Sequence, residues 1–163
     1  ALKSPTNSQD AEIYGWEIAS QHFFGDTGFG YQFNYTMVEG DIGFENGSDP
    51  SQDQFALPGL SDTLNLVGIY EKDGLSARLA YNWRDDFLNR VNRPASTRNP
   101  EYVDEVEQLD LNVSYEFDSG FTVSLDAINL TGEGQRKYGR NKNATFFVQE
   151  LDPRYVLSAR YTF

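Results

Sequence analysis

The chain has 163 residues with no cysteine, a formal net charge of -12 and a mean hydropathy of -0.59. The lack of cysteine excludes disulfides and thiolate metal sites, and the acidic balance argues against nucleic acid, because binding phosphates needs clustered Lys and Arg. There is no apolar run of about eighteen residues, which excludes a membrane-spanning helix. Aromatic residues nevertheless make up 15% of the chain. A transmembrane β-barrel reconciles the low mean hydropathy with the high aromatic content, since only every second strand residue faces lipid.

Seven segments show the two-residue alternation of a strand with different surroundings on its two faces. In chain order they are Ile13–Phe23, Phe29–Val38, Thr63–Glu71, Leu75–Arg84, Leu109–Phe117, Phe121–Asn129 and Arg154–Phe163. Phe23 breaks the alternation of the first strand. The third is apolar on both faces near Val67 and Ile69, so its lipid-facing side is not assigned. No amphipathic helix is predicted.

The connections between these segments alternate strictly between short and long. The short turns are Gly25–Gly28, Lys72–Gly74 and Asp118–Gly120, and each ends in the Gly that tight turns favour. The long connections are residues 39–62, 85–107 and 130–152. All tight turns therefore lie at one end of the sheet, an asymmetry typical of outer-membrane barrels, which have short periplasmic turns and long extracellular loops.

Aromatic residues concentrate at the strand ends beside the tight turns, as an interfacial girdle requires. The strand residues predicted to contact lipid are Phe29, Tyr31, Phe33, Tyr35, Leu79, Tyr81, Trp83, Leu111, Val113, Tyr115 and Tyr161. Strand charges are predicted to face the lumen, because a basic residue in mid-bilayer costs about 2–4 kcal/mol. The sequence thus predicts an all-β antiparallel meander of about seven long strands within a transmembrane outer-membrane β-barrel.

Two other architectures remain open. A soluble carbohydrate-binding β-sandwich would turn the same alternating residues inward to a shared core. A small outer-membrane barrel acting as an anchor or adhesin would need an eighth strand, for which residues 144–150 are a candidate, because bacterial single-chain barrels have even strand numbers.

Several stretches resemble the C-terminal barrel portion of TonB-dependent outer-membrane receptors. They are GWEIASQHFFGDTGFGYQFNYT (15–36), LPGLSDTLNLVGIYEKDGLSARLAYNWRDDF (57–87), DAINLTGE (126–133) and the closing YVLSARYTF. Such receptors have a barrel of about 22 strands with a plugged lumen. No plug and no TonB box is recognised, so residues 1–163 are expected to be a C-terminal segment of the barrel of such a receptor.

The resemblance implies transport of a scarce nutrient, such as an oligosaccharide or a metal chelate, across the bacterial cell outer membrane. The partners it implies are outer-membrane lipid, the remainder of the barrel and plug, and TonB–ExbB–ExbD acting through the N-terminal part. The terminal Phe163 resembles the signal read by the barrel-assembly machinery.

Eight polar residues are candidates for substrate or lumen contacts. Arg78, Arg84, Asp110, Glu116 and Arg160 are predicted to face the lumen, where pairing across neighbouring strands is the competing interpretation. Arg136, Tyr138 and Arg140 belong to a basic cluster with Lys137 and Lys142 in the third long loop. Its Arg groups suit an anionic ligand, although attraction to the acidic loop 39–62 explains them equally well.

No residue pattern indicates catalysis. His22 is the sole histidine, there is no nucleophile motif, and no Gly-rich phosphate loop links a strand to a helix. The acidic residues of loop 39–62 match no calcium-loop spacing. We therefore predict a protein that is not an enzyme and has no cofactor and no metal site.

Overall fold

A computed structural model describes residues 10–92 and 99–163. The strands of these residues are β1 (Ile13–Phe23), β2 (Phe29–Gly40), β3 (Thr63–Lys72), β4 (Leu75–Arg84), β5 (Phe87–Arg90), β6 (Glu101–Val103), β7 (Val106–Glu116), β8 (Phe121–Ile128), β9 (Gln135–Tyr138), β10 (Thr145–Gln149) and β11 (Arg154–Tyr161). A single 3-10 turn (Gly25–Thr27) joins β1 to β2. In the part of the chain described, no helix has the length and apolar character needed to cross a membrane.

Seven of these strands form one antiparallel sheet in the order β1-β2-β3-β4-β7-β8-β11. They are the seven strands predicted from the sequence, so the all-β meander is confirmed. The largest difference in bounds is at the start of β7, which begins at Val106 rather than Leu109. β1 and β11 are the edge strands, and in the described residues each pairs with one neighbour.

The connections follow the predicted alternation. β3 and β4 are joined by Asp73 and Gly74, whose φ angles of 51° and 78° are those of the two-residue turn that matches the twist of a hairpin. A Cβ on Gly74 would lie 2.6 Å from the carbonyl oxygen of Glu116, so the close approach of β7 also requires glycine there. The three long connections all leave from the opposite end of the sheet.

The register divides the sheet into one apolar and one polar face. Directly opposed residues of antiparallel strands share a face, and across the middle of the sheet Phe33 opposes Leu66, which in turn opposes Tyr81. The same face continues from Leu79 to Leu111. This register assigns β3, which the sequence left open. Leu66 lies on the apolar face, whereas Val67 and Ile69 lie on the polar one.

The apolar face is exposed instead of forming a core. Trp16 is 73% exposed and Leu157 is 76% exposed, and the total accessible surface of 11405 Å² exceeds the roughly 8,200 Å² expected for a compact globular protein of this mass. The interdigitated core that a soluble β-sandwich requires is therefore missing from the described residues.

The long connections contain a second sheet, which the sequence did not predict. It has four short strands in the order β10-β9-β6-β5. Residues 144–150, considered as an eighth barrel strand, do form β10, but β10 pairs with β9 in this second sheet. We call the second sheet and the three long connections together the loop assembly (residues 41–62, 85–105 and 129–153, as far as described). It contains most of the buried apolar side chains, including Leu88, Val103 and Tyr138.

Candidate functional site

The polar face of the seven-stranded sheet carries a row of amide side chains near the loop assembly. Asn34 of β2 opposes Asn65 of β3, Asn65 opposes Asn82 of β4, and Asn82 opposes Gln108 of β7. Register alone places these four residues side by side across four strands. We call Asn34, Asn65, Asn82 and Gln108 the amide row.

Charged residues of the polar face contact other residues of the same face. The Arg78 guanidinium donates to the Glu71 carboxylate at 2.9 Å, and Asp110 accepts hydrogen bonds from the Gln108 amide at 2.9 and 3.0 Å and from the Asn129 backbone N–H at 2.8 Å. Arg78 thus pairs across neighbouring strands, as the competing interpretation has it, whereas Asp110 bonds within β7 and to the residue that follows β8. Their part in a substrate path stays a prediction.

The other three candidates on this sheet lie at its two ends. Arg84, the last residue of β4, has its guanidinium 3.9 Å from the centre of the Phe87 ring and donates to the Gly59 carbonyl at 3.3 Å. Its charge therefore joins the sheet to the loop assembly. Glu116 and Arg160 occupy one row on either side of Thr122, at the tight-turn end.

A network of ion pairs connects the second and third long loops. Arg136 donates to Asp104 at 2.9 Å, and the Lys142 ammonium lies 3.2 Å from both Asp104 and Asp86. The Tyr138 hydroxyl donates to Asp86. Arg136 and Lys142 of the predicted basic cluster thus meet carboxylates of loop 85–107, whereas the sequence had suggested those of loop 39–62.

Burial and charge shift the pKa values in this network. Burial, together with the hydrogen bond to Asp86, raises the pKa of the Tyr138 hydroxyl far above its ordinary value. Burial by itself would raise the pKa of Asp86, but hydrogen bonds from Tyr138 and Lys142 outweigh it and hold that pKa below its ordinary value. Desolvation opposes the charge of Lys142, yet its bonds to Asp86 and Asp104 raise its pKa. At neutral pH the network therefore holds a charged Asp86 carboxylate and a charged Lys142 ammonium beside the neutral Tyr138 phenol.

Arg140 joins the third long loop to the first. Its guanidinium donates to the backbone carbonyls of Asn46 and Ser48, each at 2.8 Å, and lies 5.3 Å from the centre of the Phe44 ring. All three long loops are thus bonded into one body.

Loop aromatic residues mostly pack within the loop assembly. Tyr102 and Tyr138 stack with ring centres 5.2 Å apart, and Phe44 and Phe87 lie beneath arginines. Phe55 is 39% exposed. These contacts fold the loops down over one another.

Three acidic residues of loop 39–62 accept hydrogen bonds from the residue before β1, from β2 or from the loop itself. Asp41 accepts from the Glu12 backbone N–H, Asp49 from Ser51, and Asp62 from Val38 and the Tyr35 hydroxyl. Over residues 10–92 and 99–163 no three acidic or histidine side chains are grouped so as to hold a metal ion.

The tight-turn end carries a band of aromatic contacts. Phe29 and Tyr70 have ring centres 4.7 Å apart across β2 and β3, and Phe117 contacts both Tyr115 and Phe121. The ring centres of Phe163 and Tyr161 are 6.4 Å apart, and the Phe163 side chain is fully exposed. Aromatic side chains from β2, β3, β7, β8 and β11 thus gather at the same end of the sheet, as the girdle interpretation requires.

Comparison with known protein families gives one match, to the family described as TonB dependent receptor-like, beta-barrel. It covers residues 3–130, more than three quarters of the chain. The chain belongs to the TonB-dependent receptor β-barrel family. No curated protein and no solved structure matches it.

The TonB-dependent receptor family sets the general role of the two-faced sheet. Its members are transport proteins of the outer membrane that work with TonB. The chain is therefore part of an outer-membrane transport protein, in a lipid environment. The family is one of receptors and transporters rather than of enzymes.

The last strands of this TonB-dependent receptor barrel lie beyond the matched residues. β9, β10 and β11 follow residue 130, yet β11 pairs with β8 without interruption from Arg154 opposite Ile128 to Tyr161 opposite Phe121. The sheet therefore continues through the part of the chain that the family model does not cover.

Proposed function

We propose that the chain forms part of the barrel wall and the extracellular loops of a TonB-dependent receptor that imports a scarce nutrient, such as an oligosaccharide or a metal chelate. The observation that carries this proposal is the division of one seven-stranded sheet into an exposed apolar face and a polar face. A single layer with those two faces suits a wall between lipid and an aqueous lumen.

The apolar face is the proposed lipid surface. Its charged residues are confined to strand ends, where Glu39, Lys72 and Glu107 sit at the levels of the lipid headgroups. The predicted lipid contacts lie on this face, from Phe29, Tyr31, Phe33 and Tyr35 in β2 to Tyr161 in β11. Burying them in acyl chains removes from water the apolar surface that the sheet otherwise exposes.

The two edge strands indicate how the wall would continue. β1 and β11 run in the same direction, because five antiparallel strands separate them. Closing an antiparallel barrel between these edges needs an odd number of further strands, which the remainder of the receptor would supply. Lipid cannot satisfy backbone groups at open edges, so both edges need such neighbours. The plug would then fill the lumen beside the polar face.

The loop assembly is the proposed entrance for substrate. Its three long loops are bonded to one another by the Asp86–Lys142–Asp104 network and by Arg140, so they present a preformed surface at one end of the sheet. In this proposal residues 39–62, 85–107 and 130–152 are extracellular and residues 1–163 are a C-terminal barrel segment.

The remaining partners follow from the family. TonB–ExbB–ExbD would act through the plug from the periplasm, and the exposed Phe163 beside Tyr161 would be read by the barrel-assembly machinery. Both would act from the side of the tight turns, opposite the loop assembly.

The test is deletion of the complete gene followed by growth and uptake measurements under nutrient limitation, across neutral oligosaccharides and ferric chelates. We expect uptake of one class of nutrient to fall at low external concentration and to return on complementation. Unchanged uptake of every nutrient, or a receptor absent from outer-membrane fractions, would contradict the proposal.

A further inference from the structure

Two of the amides in the amide row make no hydrogen bond within the described part of the chain. The side chains of Asn65 and Asn82 make no hydrogen bond to any residue that the structure describes, and neither do those of Gln21 and Gln32 in the adjoining row, which oppose one another across β1 and β2. Each amide offers two donors and an acceptor with two lone pairs. The centre of the polar face is therefore rich in hydrogen-bonding groups that are not used within the sheet.

The same residues line two adjoining depressions. The larger, about 520 Å³, is lined by residues that include Gln21, Gln32, Asn34 and Asn65. The smaller, about 230 Å³, is lined by residues that include Asn65, Asn82 and Gln108. Asn65 belongs to both, so the two form one trough across five strands, from β1 to β7, about 19 Å long at a strand spacing of roughly 4.8 Å. That length suits an extended solute.

The centre of the trough has little charge. The acids at its two ends are engaged, because Glu17 accepts from Asn34 at 2.8 Å and Asp110 accepts from Gln108. Of the nearest cations, Arg78 pairs with Glu71, and Arg84, which lines the smaller depression, bonds to Gly59 over the Phe87 ring. The guanidinium at the trough is therefore already engaged, and the chain as a whole carries a charge of -12, so both features disfavour an anionic chelate.

We infer that the amide row binds a neutral, hydroxyl-rich solute, of the oligosaccharide class, as it passes the loop assembly. A hydroxyl both donates and accepts, as an amide does, so a chain of hydroxyls satisfies Asn65 and Asn82 without an ion pair. The row lies two residues inside the loop end of β3 and β4, where a solute leaving the loop assembly would first meet the wall. This inference rests on the proposed transport function and narrows its substrate.

The test uses the receptor expressed from its complete gene and purified in detergent. The probes are neutral malto- and xylo-oligosaccharides, with ferric citrate as the anionic chelate, and binding is measured by calorimetry. We expect the wild type to bind a neutral oligosaccharide, and Asn65→Ala combined with Asn82→Ala to weaken that binding about 10- to 30-fold through the loss of two hydrogen-bonding groups.

The matched control combines Ser76→Ala with Ser114→Ala. These residues oppose one another on the same face but nearer the tight turns, and neither side chain has a hydrogen-bond partner in the described residues. We expect the control to bind like the wild type, and both double variants to keep the wild-type unfolding temperature and outer-membrane level.

Three outcomes would overturn the inference. One is a wild type that binds ferric citrate and no neutral oligosaccharide, which would leave nutrient transport itself intact. Another is an amide double variant with undiminished oligosaccharide binding. The third is an amide double variant that unfolds at lower temperature with unchanged affinity, which would mean that the row packs against protein. Failure of the transport proposal is separate, since it would appear as unchanged uptake after gene deletion.

Discussion

Asp86 shows how a residue acquires a role that its sequence position conceals. In the chain it is one of two adjacent acids, Asp85 and Asp86, and adjacency says nothing about what a carboxylate faces. In the fold it accepts a hydrogen bond from the Tyr138 hydroxyl and lies 3.2 Å from Lys142, more than fifty residues away. One carboxylate thereby holds the third long loop against the second.

Acidification should loosen this contact. The pKa of Asp86 is lower in the fold than in the unfolded chain, where it is near 3.9, so its stabilisation is fully present above that value and is lost as the pH falls through the folded pKa. We expect residues 135–149 to be protected from proteolysis at pH 5–7 and to lose protection below about pH 4.

Substitution of the carboxyl gives the matched comparison. Asp86→Asn should remove about 1 kcal/mol of loop stability at neutral pH. It should also reduce the loss of protection from proteolysis near pH 4, because the amide does not titrate. Asp118→Asn, in a tight turn at the opposite end, should leave the pH profile unchanged. A profile for Asp86→Asn that matches the wild type would refute the role of Asp86.

At the scale of the strand, periodicity predicts the element and register predicts its face. β2, β4 and β7 alternate clearly, and each has its predicted apolar side on the apolar face. β3 is ambiguous in isolation because Val67 and Ile69 are apolar. Pairing with β2 and β4 decides it, since a slip of one residue would reverse every side chain.

Neighbouring residues of β4 test the assignment of faces. Leu79 lies on the apolar face and Ala80 on the polar face, where it opposes Asp110. Leu79→Arg should cost about 2–4 kcal/mol in lipid, whereas Ala80→Arg should cost much less, because its guanidinium can reach a carboxylate. The measurement is urea unfolding of the refolded receptor in lipid vesicles. Equal losses for the two variants would refute a lipid-facing Leu79.

The short strands of the loop assembly could not be predicted from the sequence. β5, β6, β9 and β10 have three to five residues each, too few for alternation to be recognised, and shifts of register interrupt β5–β6 and β9–β10. Their pairing depends on residues far apart in sequence, such as Tyr102 opposite Tyr138.

At the scale of the whole molecule, the unpaired outer edges of β1 and β11 determine how the chain associates. Both strands are exposed along their whole length, and their apolar residues include Trp16 and Leu157. An exposed, long, apolar edge is a template for pairing with another chain. The sheet therefore needs further strands, lipid or other copies of itself.

We expect residues 1–163 produced alone in detergent to associate through these edges or apolar faces. Light scattering after size-exclusion chromatography would report the mass of the assembly. The receptor expressed from its complete gene is the control and should run as a single species, because its edges are paired within the barrel. A monodisperse monomer of residues 1–163 would refute this expectation.

The sequence by itself determined the seven long strands and the alternation of short and long connections, because both depend on local patterns of hydrophobicity and turn residues. It also indicated the family, through stretches that resemble TonB-dependent receptors. Tertiary structure decided the face of β3, the amide row and the ion pairs of the loop assembly. Each of these depends on which distant residues stand opposite one another. Register and loop packing set that correspondence, and no single segment contains it.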